Sequence, residues 1–302
     1  MPNWNDLNLT VSASKGDAVV VCRSENQMRI AVMGILYNPP ADVLGNIVSY
    51  LDQVAALYVV DNSDEPSNWL VERIQGDGKV HYLCKRGNLG VATALNCGAE
   101  MALTDGFEFL LTMDQDSRVL PGMVEALMAC HGEEFGLVAP YLLTRDRQIP
   151  PVNKMCRPVL TAMTSGSLLS LEAYQKVGPF RDDFFIDFVD IEYCLRLQRH
   201  GYKILQADGA HLEHHVGRRV GKGWFSVTTH PPLRKYYKTR NRFQVWKEYG
   251  ADFPGYVWGD RLRFVLEFGR LLLFEPEKRA KLHMMWRGYR DYRAGRFGKY
   301  QD

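Results

Sequence analysis

Two carboxylates that are one residue apart, Asp114 and Asp116, follow an apolar run that begins at Phe107. Carboxylate oxygens are the hard ligands that Mg²⁺ and Mn²⁺ prefer, and waters and substrate phosphates commonly complete the coordination shell. The alternative is a solvated turn, in which aspartate is a frequent residue. The preceding strand favours the first interpretation, so we predict that Asp114 and Asp116 bind a divalent cation, Mg²⁺ or Mn²⁺.

A second acidic cluster, Asp187, Asp190 and Glu192, lies just before or within the first turn of a predicted helix. Acidic side chains stabilise helix N-termini, which is the simpler explanation. Three carboxylates among apolar neighbours exceed what capping needs, and both repulsion and apolar surroundings raise a carboxyl pKa. A carboxylate with a raised pKa suits a general base.

Two further segments have side chains that could bind ligands. His211, His214 and His215 are close enough along the chain to share a metal, although a single histidine is more often structural. The His-Glu-x-x-His order of zinc proteases is absent. The segment Arg86–Gly90 opens a predicted helix, where it could approach a phosphate or ribose, but its glycine spacing matches neither the dinucleotide fingerprint nor the P-loop.

Alternating strands and helices must position these residues. Apolar runs at 29–37, 56–60, 80–83 and 107–113 predict buried strands, and helical spacing between them predicts βαβ units. The predicted fold is α/β, with a mostly parallel central sheet flanked by helices. Asn38, Asp61 and Asp114 then lie at the carboxyl ends of strands, where such sheets bind ligands.

The later part of the chain has a mixed pattern. Strands are predicted at 137–142 and around the Ser-Gly-Ser segment of 161–171, and the helix that contains Cys194 should end at Gly201. From Leu233 onwards we predict long helices. The expected divisions are an N-terminal extension (1–28), the main domain (29–231) and a basic, aromatic-rich helical region (232–302).

Composition limits the compartment and the partners. The chain has 302 residues, a formal net charge of +2 and six cysteines without a Cys-x-x-Cys pair, which indicates neither zinc nor a redox dithiol. Reduced cysteines and a cytoplasmic location are the simplest expectation. The first residues show no apolar signal segment, and no run approaches the roughly 18 apolar residues that cross a bilayer.

Positive charge is concentrated near the C-terminus. Residues 216–302 contain 20 lysines and arginines against 8 acidic residues. Several aromatic residues lie among these bases: Trp224, Tyr236, Tyr237, Trp246, Tyr256, Trp258 and Trp286. The mixture suits an anionic membrane surface, phosphate groups on a ligand, or a helical core whose outside is merely solvated. We expect no nucleic-acid partner.

Taken in order, the motifs resemble those of family 2 glycosyltransferases with the GT-A fold, most closely the bacterial rhamnosyltransferase branch. The resemblance covers roughly residues 29–245. The segments that carry it are Asn88-Leu89-Gly90, Asp114-Gln115-Asp116-Ser117, Ser165-Gly166-Ser167, Phe184–Arg196, His214–Gly217, and Tyr236, Tyr237, Arg240 and Asn241. Val189 replaces a glutamate that many family members have before the catalytic aspartate, and the rhamnosyltransferase branch shares this departure.

The resemblance implies roles for these residues. Asp190 would be the catalytic base and Glu192 a supporting carboxylate. Asp116 would be the main metal ligand, with Asp114 near the metal and ribose and His214 completing the metal or diphosphate shell. The remaining residues expected at the donor nucleotide are Asn38, Asp61, Arg86, Asn88, Gly90, Ser165, Gly166 and Arg240.

The expected activity is inverting, metal-dependent transfer of L-rhamnose from dTDP-rhamnose to a lipid-linked saccharide acceptor, in surface polysaccharide or O-antigen synthesis. A different nucleotide sugar, such as a UDP-hexose or UDP-hexosamine, is the main alternative. A nucleotidyltransferase would need a basic, glycine-rich triphosphate loop, which Asn38-Pro39-Pro40 does not provide. A non-catalytic carbohydrate- or membrane-binding module is disfavoured because the carboxylates of all three sites are intact.

Overall fold

The computed structural model describes residues 30–74, 78–132, 134–143, 156–214, 219–220, 227–228 and 230–301. The predicted N-terminal extension, residues 1–28, lies outside these described residues, as do His215, Gly217 and Trp224.

Strands and helices alternate at the start of the described chain, as the apolar spacing predicts. The order is β1 (Ile30–Leu36), α1 (Val43–Leu51), β2 (Ala56–Asp61), α2 (Asn68–Ile74), β3 (Val80–Cys84), α3 (Val91–Thr104) and β4 (Phe109–Asp114). β1 shows why these runs are continuously apolar. Met33 and Ile35 pack in one core with α3, whereas Val32 and Leu36 pack in a second core with α1.

The four strands pair in parallel in the order β3-β2-β1-β4. Leu36 pairs with Asp61, Asp61 pairs with Cys84, and Ile35 pairs with Asp114. The ends of these strands therefore meet at one edge, which confirms that Asn38, Asp61 and Asp114 lie at the carboxyl ends of parallel strands.

The sheet continues with strands of mixed direction. The elements that follow β4 are β5 (Ser117–Val119), α4 (Met123–Met128), β6 (Phe135–Leu143), β7 (Cys156–Pro158), β8 (Ser167–Ser170), α5 (Leu171–Val177), α6 (Val189–Arg199) and β9 (Lys203–His214). The sheet order is β3-β2-β1-β4-β8-β6-β9-β5, and β7 pairs with β9. β8 is antiparallel to both of its neighbours, so the parallel part consists of the first four strands and the β6–β9 pair.

β9 brings His214 to the β4–β5 turn. It runs parallel to β6, with a shift in register between Pro140 and Tyr141. Beyond the shift, its end pairs antiparallel with β5, so that His214 lies opposite Ser117.

A short hairpin and three helices complete the described chain. They are β10 (Arg219–Val220), β11 (Val227–Thr228), α7 (Pro232–Tyr249), α8 (Pro254–Phe274) and α9 (Lys278–Arg293). Val245 and Tyr249 of α7 belong to the same core as α3 and α6. Tyr236 and Tyr237 are also buried and pack against Phe185, which agrees with the helical-core alternative for these two aromatic residues. None of the described helices is long and apolar enough to cross a bilayer.

The expectation that all cysteines are reduced is also wrong for one pair. Cys130, after α4, forms a disulfide with Cys156 in β7, with a Cα–Cα distance of 5.6 Å. The two residues are 26 positions apart and meet only through tertiary packing, so no local motif indicates the bond. Cys84, Cys97 and Cys194 are free thiols.

Candidate active site

The turn between β4 and β5 carries the two predicted metal ligands. Gln115, between them, fixes the turn: its Oε1 accepts a hydrogen bond from Tyr37 N at 2.9 Å, and its backbone oxygen accepts one from Asn46 Nδ2 at 2.7 Å. Asp114 is half-buried and Asp116 is exposed. The turn therefore presents two carboxylates at different depths of the same edge.

A chain of hydroxyl groups joins this turn to His214. Ser165 Oγ accepts a hydrogen bond from Asp114 N at 3.0 Å and lies 2.7 Å from Ser117 Oγ. Ser117 Oγ lies 2.8 Å from Nδ1 of His214, whose ring nitrogen is 3.5 Å from Asp116 Oδ1. Ser117 and Ser165 are both buried, so the imidazole has a fixed orientation beside Asp116.

Gly166 has little space for a side chain. Its φ is +77°, and a Cβ atom there would lie 2.6 Å from Leu212 Cδ2 and 2.8 Å from Pro140 Cγ. Its N–H donates to Thr112 O at 2.7 Å. The glycine therefore lets the segment before β8 pack closely enough for Ser165 to reach Asp114.

Asp190, in the first turn of α6, opens onto a cavity of about 300 Å³ that we call the Asp190 cavity. Ser165, Met163 and Ile191 also line it. Burial raises the pKa of Asp190 to about 6, and repulsion by Asp187 adds to this, although a hydrogen bond from Ile191 N acts in the opposite direction. A half-buried carboxylate with a raised pKa at the wall of a cavity is suited to accept a proton.

The loop before α6, residues 183–188, has an unusual backbone, and we call it the acidic loop. Phe185, Asp187 and Phe188 have φ values of 65°, 62° and 67°, a region that residues other than glycine rarely adopt. Asn241 holds this loop, since its Nδ2 lies 3.0 Å from Phe184 O, 2.9 Å from Ile186 O and 2.8 Å from Asp187 O. Such a backbone is costly and persists only when its surroundings determine it.

Arg240 supports the same loop. Its guanidinium is fully buried and donates to the backbone oxygens of Asp183, Phe184 and Gly298 at 3.1, 3.0 and 2.7 Å. The structure therefore does not bring Arg240 to the cavity as a donor-binding side chain. It makes Arg240 a positioning residue for the segment that carries Asp187 and Asp190.

Glu192 also lies away from the Asp190 cavity. Its buried carboxylate accepts a hydrogen bond from Tyr249 OH at 2.7 Å and pairs with Arg196 at 3.0 Å. These contacts tie α6 to α7, so any support that Glu192 gives to Asp190 acts through the position of the helix.

Arg234, at the start of α7, is the residue that the sequence analysis missed. It forms an ion pair with Asp187, and its positive charge partly offsets the rise that burial causes in the pKa of both Asp114 and Asp190. Arg234 therefore lies within electrostatic reach of both acidic centres. In the sequence, Arg234 is distinguished only by its position two residues before Tyr236, and many other lysines and arginines surround it.

The Asp114 carboxyl is strongly perturbed. Burial raises its pKa to about 7, with further contributions from the charges of Asp116 and Asp190. The carboxylates of Asp114, Asp116 and Asp190 thus share one acidic region, and the positive charge of Arg234 only partly offsets their negative charge. Such a region favours a bound cation.

The predicted donor-binding residues of the first three strands meet through Ser63. Its Oγ accepts a hydrogen bond from Asn38 N at 2.7 Å, its N–H donates to Asp61 Oδ1 at 2.9 Å, and its carbonyl oxygen accepts one from Gly87 N at 3.0 Å. Asp61 is fully buried. Burial alone would raise the pKa of Asp61, but hydrogen bonds from Ser63, Tyr82 and Ser67 hold it below its ordinary value.

Arg86 and Asn88 lie on the segment that enters α3. Arg86 is exposed, with a φ of 48°, and Asn88 Oδ1 accepts a hydrogen bond from Gly90 N at 2.9 Å. Gly90 has a φ of +90°, and a Cβ atom there would lie 2.5 Å from Phe185 O. The Phe185 carbonyl accepts a hydrogen bond from Val91 N at 2.7 Å, so the start of α3 packs directly against the acidic loop.

The residues at the β4–β5 turn fit a divalent cation that is held mainly by substrate. Among the described residues, no group of three His, Cys, Asp or Glu side chains is already assembled as a metal site. Mg²⁺ is commonly bound through one or two carboxylates together with substrate phosphates rather than by a complete protein cage. Asp114 and Asp116 provide such a pair, and His214 is beside them.

Residues 33–149 match the family model described as "Glycosyl transferase family 2". The chain is 29% identical over 230 residues to the dTDP-rhamnosyl transferase RfbF of Shigella flexneri. The matched region covers 69% of this chain and 77% of RfbF. It is 23% identical to the low-salt glycan biosynthesis hexosyltransferase Agl10 of Haloferax volcanii, over 59% of this chain and 64% of Agl10.

Solved structures show the same fold. GalNAc-T7, crystallised with UDP, GalNAc and Mn²⁺, matches with a TM-score of 0.58 and 14% identity, over 74% of this chain and 49% of that one. Residues 1–349 of TarS from S. aureus match with a TM-score of 0.55 and 14% identity, over 88% of this chain and 81% of that one. The chain thus spans about half the length of GalNAc-T7.

The fold is therefore of the GT-A type. Residues 33–149 match a family 2 glycosyltransferase domain, and the chain is a glycosyltransferase. The predicted resemblance to the rhamnosyltransferase-like members of this family is confirmed.

Proposed function

We propose that the protein transfers L-rhamnose from dTDP-L-rhamnose to a saccharide acceptor, with inversion at the anomeric carbon and with Mg²⁺ or Mn²⁺ as cofactor. One observation carries the proposal. Ser165 lines the Asp190 cavity and also accepts the hydrogen bond from Asp114 N, so a single residue connects the wall of that cavity to the turn that we assign to the cation.

Each acidic centre has its own task in this reaction. A divalent cation would stabilise the negative charge that develops on the leaving diphosphate. Asp114 and Asp116 would hold the cation, with His214 beside them. Arg234 would bind the diphosphate through its planar guanidinium, which suits phosphate oxygens.

Asp190 then acts on the acceptor. Its carboxylate takes the proton from the acceptor hydroxyl as the oxygen forms a bond to the anomeric carbon. The bond from that carbon to the diphosphate breaks on the opposite face, so the configuration inverts. Burial of Asp190 supports this role, because a carboxyl with a pKa of about 6 is a stronger base than an exposed one.

The donor and the acceptor rest on similarity and charge. The similarity to the dTDP-rhamnosyl transferase RfbF supports dTDP-L-rhamnose as donor. We place the reaction at the cytoplasmic face of the plasma membrane, on a lipid-linked saccharide for surface polysaccharide or O-antigen synthesis. The excess of bases in residues 216–302 supports this setting.

A donor screen tests the proposal. Purified protein is titrated calorimetrically with dTDP-L-rhamnose, UDP-glucose, UDP-galactose and UDP-N-acetylglucosamine, each with Mn²⁺ and with EDTA. We expect the tightest binding for dTDP-L-rhamnose, and only with the cation. Tighter binding of a UDP-sugar would show that the proposed donor is wrong, and undiminished affinity in EDTA would show that the proposed cation is wrong. If no donor binds, a non-catalytic module would be favoured.

A further inference from the structure

Helix α8 exposes an apolar face that no described element covers. Only three of its 21 residues, Val257, Asp260 and Leu271, are buried. Trp258 is 68% exposed and Leu273 is 70% exposed, values that are high for such large apolar side chains. The exposed apolar residues of α8 are Trp258, Leu262, Val265, Leu266, Phe268, Leu272, Leu273 and Phe274.

Most of these side chains share one face of the helix. At about 100° per residue, Trp258, Leu262, Val265, Leu266 and Leu273 fall within one continuous stripe, which extends over about 22 Å at 1.5 Å per residue. The face is therefore long enough to act as one surface.

The charges of α8 are divided between its two sides. Its exposed charged residues are all cationic: Arg261, Arg263 and Arg270. Its two carboxylates turn inward to α7, where Asp260 Oδ2 accepts from Arg242 Nε at 3.0 Å and Glu267 accepts from the same guanidinium at 3.0 and 3.2 Å. Internal pairing thus removes negative charge from the outer face and leaves apolar side chains flanked by arginines.

The same contacts fix the face relative to the active site. Arg242 lies eight residues after Arg234 on α7, a distance of about 12 Å along the helix axis. Trp246 adds a second attachment, because its Nε1 donates to Asp260 at 2.8 Å. The α8 face is therefore attached to α7, the helix whose first turn is ion-paired with Asp187.

We propose that this α8 face binds shallowly to a bilayer that contains anionic lipid, with the helix axis along the membrane plane. Apolar side chains flanked by arginines have the chemistry of an interfacial helix, with contacts to acyl chains and to anionic headgroups. A second copy of the chain is a poorer occupant, because a two-fold pairing of this face would bring the same three arginines together. The proposal does not depend on the donor or acceptor proposed above.

Flotation with vesicles tests the proposal. The full chain is mixed with vesicles of phosphatidylcholine alone, or of equal parts phosphatidylcholine and phosphatidylglycerol. We expect binding only to the anionic vesicles, decreasing as salt is added. The combined change Arg261→Glu, Arg263→Glu and Arg270→Glu should weaken binding by at least about 100-fold, at about fivefold for each arginine lost near the surface.

The apolar contribution is tested separately. Val265→Glu should abolish flotation, whereas the matched control Val48→Glu, at a position on α1 that is 48% exposed, should float like the wild type. Both variants should retain the donor affinity and melting temperature of the wild type. Undiminished flotation of Val265→Glu, or equal recovery with neutral and anionic vesicles, would overturn the proposal. If the wild type does not bind vesicles but forms a dimer in sedimentation velocity, and Val265→Glu dissociates that dimer, the face would be assigned to a second copy of the chain instead.

Discussion

Arg234 and Asp187 form a two-point ion pair, in which Nη2 lies 2.6 Å from Oδ1 and Nε lies 3.1 Å from Oδ2. The pair joins the first turn of α7 to the loop that precedes Asp190 and α6. Because α7 is also held in the core by Val245 and Tyr249, the guanidinium has a fixed place beside the acidic centres.

Arg234→Ala should weaken binding of dTDP in the presence of Mn²⁺ by about 10- to 100-fold, since hydrogen bonds to charged groups contribute roughly 1.5–3 kcal/mol. Lys247→Ala, at an exposed position near the end of the same helix, is the control and should bind normally. Calorimetry measures both. Equal affinity of the two variants would show that Arg234 serves only the acidic loop.

The pH dependence of transfer should follow Asp190. Its pKa is raised to about 6, mainly by burial, and the base must be deprotonated to act. We therefore expect kcat/KM to fall about tenfold per pH unit below roughly pH 6 and to be level above it, as far as Asp190 is concerned. An acidic limb near pH 4 would point to a different, exposed carboxylate.

Asp190→Asn should reduce transfer by about 100- to 10,000-fold while donor affinity stays within about twofold of the wild type. Glu192→Gln is the informative comparison, because it leaves the cavity intact and weakens the contacts to Tyr249 and Arg196. That variant should lose melting temperature more than activity. Near-normal transfer by folded Asp190→Asn protein would rule out Asp190 as the base.

Metal binding should affect stability in a pH-dependent way. Burial and the charge of Asp116 raise the pKa of Asp114 to about 7, above its unfolded value. The contribution of this group to stability is therefore present below the unfolded pKa and is lost as pH rises through about 7. A cation favours the ionised form, so Mn²⁺ should raise the melting temperature more at about pH 8 than at about pH 5.

Asp114→Asn provides the control for this effect. The variant should be more stable than the metal-free wild type at about pH 8, because no buried charge has to form, and Mn²⁺ should protect it little. Equal protection of both proteins by Mn²⁺ would place the metal elsewhere.

Gly90→Ala should destabilise the protein by at least about 2 kcal/mol, because a backbone with φ +90° and ψ 164° costs other residues about 1–3 kcal/mol and the new Cβ would strike the Phe185 carbonyl. Gly45→Ala is the matched control, since no atom lies within 4 Å of its Cβ position in α1. That change should stabilise by up to about 1 kcal/mol. Urea unfolding compares the two, and similar midpoints would show that the contact at Gly90 is soft.

The sequence predicts the parallel half of the fold well, for a physical reason. Strands buried on both faces have continuous apolar runs, and helices between them force their carboxyl ends to one edge. The positions of Asn38, Asp61 and Asp114 follow from these rules. The apolar spacing does not fix the first residue of α3, because Leu89 is apolar yet exposed, and the helix begins at Val91, after the turn at Gly90.

The contacts that assemble the candidate site are not local, and the sequence does not show them. His214 reaches Asp116 only because β9 shifts register beside β6 and then pairs with β5. The resemblance identifies Arg240 as important but not its role, since its carbonyl partners lie at residues 183, 184 and 298. The Cys130–Cys156 bond likewise depends on tertiary packing.

The attachment of the acidic loop to Arg240, Asn241 and Gly298 has a consequence for synthesis on the ribosome. Gly298 N donates to Asp183 O at 2.7 Å, while Arg240 donates to Gly298 O, so the loop is bonded to a residue more than 100 positions later. Chains generally fold from the N-terminus as they emerge, and the β1–β4 sheet can form long before residue 298 leaves the exit tunnel. A nascent chain therefore has the β1–β4 edge of the sheet before the loop next to Asp190 is held in place. The proposed catalytic arrangement is completed only late in translation.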